Sequence, residues 1–370
     1  MKVVLDPKIL PHIIYSLKLW FYINYILEII NMFLYNLENI NSNSSERMSS
    51  LINEVKDGIW SGRTDHLINR SSFRYHQIVQ LPKIEDYKTN GETCVIIGFE
   101  SEEGVRRNKG NIGAAKAPNA LRSELAKLPW KFPEDKHLAD IGTVACNEEN
   151  LEKAQEQLGE VVTKVLSEKM TPIILGGGHE TAYGHYVGVR NYIGQEAKLG
   201  IINIDAHFDL RSYDEQTSSG TMFKQILDQD ENSSYFVVGI QRYGNTQELF
   251  DRADELGATY ILEESMHISD MDNVNARIND FISQQDYIMI TLCTDVLNAA
   301  FAPGVSASSP FGLDPSVVRS IIRNVTTNKK TLSFDISEVN PSMDENNRTV
   351  KLGAYLINEA ITSFLGRNIK

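Results

Sequence analysis

The chain has 370 residues, 42% hydrophobic and 23% charged, which allows one large α/β domain or two small ones with a sizeable core. A formal net charge of -13 makes it a poor general binder of nucleic acid or of an anionic membrane, and favours a soluble enzyme. Three cysteines (Cys94, Cys146, Cys293) with no CxxC pair argue against a disulfide framework and for a reducing, cytoplasmic setting.

Residues 1–47 differ from the rest. They contain no Gly and no Ala and are crowded with Ile, Leu, Asn and Tyr. The stretch 19–37 is apolar enough to raise the question of a membrane span, but Glu28 and several Asn interrupt it. No small-residue cleavage site follows, so a signal peptide is no better supported. The expectation is an extension foreign to the fold, with Met48 as the natural start and 48–370 as the catalytic domain. An amphipathic membrane or partner helix is the alternative.

From residue 94 onward, short apolar runs (94–99, 172–175, 199–204, 235–240, 287–292, 331–336) alternate with stretches of helical period such as 151–169. Strands without polar alternation, separated by helices, predict a three-layer α/β/α fold on a mainly parallel sheet. In such sheets ligands bind beyond the carboxyl ends of the strands, and that is where the polar clusters fall.

The first cluster is Gly176-Gly177-Gly178-His179-Glu180. A lone His there is more often structural, and no Lys-Ser/Thr follows to make the glycines a phosphate loop. The second is Asp205-Ala206-His207-Phe208-Asp209, which closes the apolar run 199–204; alone it could be a capped surface turn. The third is Cys293-Thr294-Asp295. The fourth runs from Ser333 through Asp335 and Glu338 to Pro341. So many carboxylates and imidazoles on one sheet edge are costly to bury unless they meet a cation, and oxygen and nitrogen donors suit a hard or borderline divalent metal.

These clusters, with Gly104-Val105-Arg106-Arg107-Asn108-Lys109-Gly110-Asn111 and Leu121-Arg122 before them, resemble the ureohydrolase superfamily of arginases, agmatinases and formimidoylglutamases from about Trp60 onward. Trp60-Ser61-Gly62-Arg63-Thr64-Asp65, Asp209-Leu210-Arg211 and Cys293-Thr294-Asp295 with the stretch from Ala300 to Ala307 are similar to the formimidoylglutamase branch. The resemblance implies a binuclear manganese hydrolase that converts N-formimidoyl-L-glutamate and water to L-glutamate and formamide in histidine breakdown. It implies a cytoplasmic homo-oligomer, trimer or hexamer, with no membrane role for 48–370. His179 and Asp209 would hold one manganese, His207 and Asp295 the other, and Asp205 would bridge them. Cys293 stands where the family has a second bridging carboxylate, and a thiolate is a softer ligand.

Two such ions activate a shared water. Asp295 is then the candidate to protonate the leaving amine, and Glu338 the group that holds the amidine. Arginases carry a proton-shuttling histidine where this chain has Phe223, and an asparagine where it has Arg211. A guanidinium suits a substrate with an extra carboxylate and would repel the cationic tail of agmatine, unless Arg211 is spent in a surface salt bridge. Asn245, in the 239–246 loop, is expected to contact the amino-acid end. His185 needs no special role, and Asp335 is expected behind the ligands. An agmatinase-like hydrolase and a metal-poor binding protein are the alternatives.

Overall fold

The apolar runs that end in polar clusters are neighbouring strands of one sheet. The computed structural model describes residues 48, 50–89 and 91–367. The chain separates into Met1–Ser50 and Leu51–Lys370, and every described strand belongs to the second unit. The extension expected over 1–47, with its apolar stretch 19–37, lies outside the described residues. Among the described residues no helix is long and apolar enough to cross a membrane.

The strands are β1 (Glu92–Glu100), β2 (Lys136–Ala145), β3 (Thr171–Leu175), β4 (Leu199–Ile204), β5 (Ser233–Ile240), β6 (Thr259–Leu262), β7 (Tyr287–Cys293) and β8 (Thr331–Ser337). They form one eight-stranded sheet in the order β2-β1-β3-β8-β7-β4-β5-β6. Every pairing is parallel. All six strands read from apolar runs are present, extended by a residue or two at half of their ends. Each of the six residues of β4 is buried, as expected of a strand covered on both faces.

Two strands were not foreseen. In β2, Lys136, His137, Asp140, Gly142 and Thr143 break the apolar run, and the buried Asp140 is paired with Arg122 at 2.7 Å. The other, β6, is a four-residue edge strand, partly exposed, too short to show a pattern.

Helices cover the sheet. Leu151–Ser167 begins at Asn150, whose side chain accepts from the Lys153 N–H at 3.2 Å, and it buries Leu151, Ala154, Leu158, Val162 and Val165. It crosses Thr181–Ile193 where glycines let two backbones approach. A Cβ on Gly188 would lie 2.5 Å from Val162, and one on Gly159 2.6 Å from Val187. Thr163 Oγ1 donates to Gly159 O at 2.8 Å and to Gly188 O at 3.1 Å across the same crossing. The helix that leaves the glycine turn is thereby held against the sheet.

Trp60 and Arg122, both within the motifs singled out above, meet at the second strand. Arg122 donates to both Asp140 oxygens, at 2.7 and 2.8 Å, and Trp60 Nε1 donates to Asp140 Oδ2 at 2.7 Å. Their role is architectural: they satisfy a carboxylate that would otherwise be buried and unpaired.

Candidate metal centre

The four polar clusters follow β3, β4, β7 and β8, which are contiguous in the order β3-β8-β7-β4. Residues distant in sequence therefore share one edge. The glycine turn is built for close approach: a Cβ on Gly177 would fall 1.8 Å from Ser101 O. The Gly176 and Gly178 N–H groups donate to Ile336 O and Ser101 O, at 2.8 and 2.9 Å. Those donors are thus committed to the fold, which removes the phosphate-loop alternative.

The turn aims His179 at the strand ends. Its Nδ1 lies 3.0 Å from Asp205 Oδ2 and 2.8 Å from Asp209 Oδ2. His207 Nδ1 lies 3.2 Å from Asp295 Oδ2 and 3.6 Å from Asp205 Oδ1. Two groups have donor atoms within 4.8 Å of one another: His179, Asp205 and Cys293, and Asp205, His207 and Asp295. Asp205 is common to both. Cys293 belongs to the His179 side.

Asp209 and Glu338 adopt left-handed backbone, with φ of 51° and 65°. Such conformations cost on the order of 1–3 kcal/mol in a non-glycine residue and persist where surrounding contacts over-determine them. Glu338 is fixed at both ends: its N–H donates to Gly177 O at 2.8 Å, and its Oε1 accepts from the His179 N–H at 2.9 Å.

Electrostatics match a cation site. Burial, then the charge of Asp205, pushes Asp209 up to about 6. Burial, then Glu180 and Asp295, pushes Glu338 up to about 8. Burial opposes the ionisation of Asp205 and the protonation of His179 and His207. Their hydrogen bonds and mutual charges prevail, lowering Asp205 and raising both imidazoles well above their ordinary values. Burial and the surrounding carboxylates raise the Cys293 thiol. Protons on the two rings offset clustered acids, and a divalent cation does so more strongly. Asp295 Oδ1, buried and without a hydrogen-bond partner, is an oxygen left free for one.

A cleft of about 140 Å³ opens over these groups and is lined by all the expected ligands but the deeply buried Asp205, together with Arg211, Asn245 and Glu338. Asn245 departs from expectation. Its Nδ2 donates to Ala206 O and Gln241 O, both at 2.9 Å, and its Oδ1 accepts from the Phe208 N–H at 3.0 Å. The amide is spent on fastening the ligand loop, so Asn245 is a positioning residue and not a free substrate contact. Arg211, in contrast, is exposed and has no ion pair among the described residues, so the alternative of a surface salt bridge finds no partner there.

Beneath the cleft runs a chain the sequence did not reveal. His179 Nε2 lies 3.1 Å from Thr291 Oγ1, which donates to Asp335 Oδ1 at 2.8 Å. Asp335 Oδ2 meets His185 Nδ1 at 2.6 Å. His185 therefore has a role, as the buried partner of Asp335. No local signal marked it, since its partner Asp335 lies 150 residues further along the chain.

A profile of the arginase family matches residues 92–362. The chain belongs to the arginase family. It is 55% identical over 311 residues to the formimidoylglutamase of Lysinibacillus sphaericus, covering 83% of this chain and 96% of that one. It is 49% identical over 306 residues to the formimidoylglutamase of a Geobacillus species, covering 82% and 94%. The crystal structure of Bacillus subtilis formimidoylglutamase superposes with a TM-score of 0.72 at 19% identity, over 84% of this chain and 96% of that one. A Trypanosoma cruzi formiminoglutamase solved with manganese gives a TM-score of 0.67 at 23% identity, over 78% and 100%. The last two likenesses concern the fold, which is that of the arginases.

Proposed function

We propose that this arginase-family chain hydrolyses N-formimidoyl-L-glutamate to L-glutamate and formamide with two manganese ions. The observation that carries the reading is a single cleft that joins two ligand groups sharing Asp205 with the unpaired guanidinium of Arg211. The relatives named formimidoylglutamase support it. In this reading residues 48–370 are the catalytic unit, and the enzyme works in the cytoplasm in histidine breakdown as a homo-oligomer of three or six chains.

His179, Asp209 and Cys293 would hold one ion, His207 and Asp295 the other, with Asp205 between them. When bound, the pair supplies Lewis-acid activation of a water for attack on an electrophilic carbon. The protein's own groups do the rest. Glu338, anchored by His179 and Gly177, presents its carboxylate to the amidine nitrogens. Asp295, beside the reacting centre, is the group that carries a proton to the nitrogen of the departing glutamate. Phe223 stacks on Tyr235 with ring centroids 4.3 Å apart, so no imidazole is available at that place for the proton transfer of an arginase. Arg211 binds a carboxylate at the mouth and selects against cationic tails.

The test is hydrolysis by the manganese-loaded protein of N-formimidoyl-L-glutamate, agmatine and arginine, followed as formamide or urea. Formamide from the first, with little urea from the others, is expected. Preference for agmatine would keep the metal centre and overturn the substrate assignment.

A further inference from the structure

We propose that Asn108 and Arg211 form a two-sided clamp for the substrate carboxylate farthest from the reacting carbon, with Gly220 as the spacer between them. This rests on the formimidoylglutamate reading and extends it to the γ-carboxylate.

Both side chains line the metal cleft, and both are exposed whereas the ligand set beneath them is largely buried. Depth therefore orders the cleft: the formimidoyl carbon goes in, and the far carboxylate remains at the mouth. Among the described residues neither the Asn108 amide nor the Arg211 guanidinium has a side-chain hydrogen-bond partner. Both reach one point. A Cβ placed on Gly220 would lie 3.0 Å from Arg211 Cδ, 3.3 Å from Arg211 Nε and 3.3 Å from Asn108 Nδ2. Donors that near to a common point can take the two oxygens of a single carboxylate.

Gly220 is not required by its backbone, which is not left-handed. Space is tight there instead: a Cβ at these distances makes the two donors give by a few tenths of an ångström. The frame around them is stiff. The Arg211 N–H donates to Gly220 O at 2.9 Å, and the Ser219 N–H to Gly104 O at 3.1 Å. The Asn108 N–H also donates to Gly104 O, at 2.9 Å, and the buried Glu180 Oε1 accepts from the Gly104 N–H at 3.0 Å. Arg107, next to Asn108, pairs with Glu103 at 2.7 Å and reaches Thr217 Oγ1 at 3.2 Å. The loop carrying Gly220 and the helix end carrying Asn108 are thus one unit, tied to the turn that holds His179.

The experiment compares N-formimidoyl-L-glutamate with N-formimidoyl-L-glutamine, which has the same shape but a neutral far end, in the manganese-loaded parent and the variants Asn108→Ala, Asn108→Asp and Gly220→Ala. The parent should prefer the glutamate compound. Asn108→Ala and Gly220→Ala should each raise KM for it about tenfold, the weight of a hydrogen bond to a charged group. For the glutamine compound KM should move little, and kcat should fall less than kcat/KM for both. Asn108→Asp should lose more than Asn108→Ala, because a carboxylate would then face a carboxylate. Equal losses for both compounds in Asn108→Ala and Gly220→Ala, with metal content and melting temperature as in the parent, would overturn the clamp. A parent that hydrolyses both compounds alike would also overturn it, independently of how the variants fold, and leave the hydrolase intact. A parent active on agmatine alone would overturn the substrate reading itself.

Discussion

Thr291 sets the tautomer of His179. Its hydroxyl proton is committed to Asp335 at 2.8 Å, so its oxygen can only accept from the His179 Nε2–H, 3.1 Å away. That leaves Nδ1, the atom facing Asp205 and Asp209, as the one offered to a cation. Thr291→Val keeps the shape and removes the hydroxyl. Manganese affinity on the His179 side should fall about 10–100-fold, with Thr291→Ser close to the parent. Calorimetric titration of the chelator-stripped protein reads this directly. An unchanged affinity in Thr291→Val would mean that packing against Phe223, 5.7 Å from the ring, suffices to orient it.

Cys293 makes the His179 side softer than an all-oxygen and nitrogen set. The parent should therefore take up zinc or cadmium in preference to manganese at that side more readily than Cys293→Asp, in which the donor becomes a carboxylate. Metal content per chain after dialysis against equal manganese and zinc distinguishes the two. A manganese-to-zinc ratio unaffected by the substitution would show that the thiol is a small buried packing group and not a ligand.

What the sequence made legible follows from burial. Strands covered on both faces read as uninterrupted apolar runs, so β3, β4, β7 and β8 and the residues just beyond them could be located in advance. Parallel pairing then brings those ends together, which is why His179, Asp205 and Asp295 share a site although far apart in the chain. Strand β2 was hidden because its central Asp140 is paid for by Arg122, a partner 18 residues earlier whose approach no periodicity encodes. Asn245 was legible as part of the site but not in its role, since which backbone groups an amide reaches depends on where two loops meet. Asp335 was expected behind the ligands, but Thr291 and His185, which tie it to His179 and to the helix, were illegible for a similar reason: they sit on another strand and a helix and look individually like ordinary core polar residues.

Arg122 and Asp140 are both wholly buried, with the guanidinium also donating to Gly142 O at 2.7 Å and to Thr143 Oγ1 at 2.8 Å. Removing one partner leaves the other charge without compensation. Arg122→Ala should cost about 3–5 kcal/mol of stability, against much less for a pair with a solvent-exposed cation such as Lys127 with Glu124. Urea unfolding of Arg122→Ala and Lys127→Ala measures both. Similar midpoints in the two variants would refute the assignment of Arg122 as the residue that makes an acidic β2 compatible with the core.

Acid should loosen the loop at the cleft mouth before the core unfolds. Glu152 binds Arg107 at 2.6 Å and accepts from Thr217 Oγ1, joining the helix Leu151–Ser167 to the segment that leads to Gly220. Burial works against its ionisation, but the bonds from Arg107 and Thr217 hold it at about 2 instead of the ordinary 4.5. A carboxylate depressed in the folded state contributes stability that is complete above its unfolded pKa and is lost as pH falls through the folded one. The window is therefore from 4.5 down to about 2. The side chain is half exposed and solvent screens it, so the contribution is about 1 kcal/mol or less. Glu152→Gln should be less stable than the parent by that amount at neutral pH, and the gap should close as pH drops below the mid-fours. Unfolding midpoints of both proteins across a pH series provide the comparison, and a gap independent of pH would assign the effect to shape instead of charge. The same series followed by KM should show the variant weaker for N-formimidoyl-L-glutamate at neutral pH, because the pair that steadies Thr217 also steadies the spacer between Asn108 and Arg211.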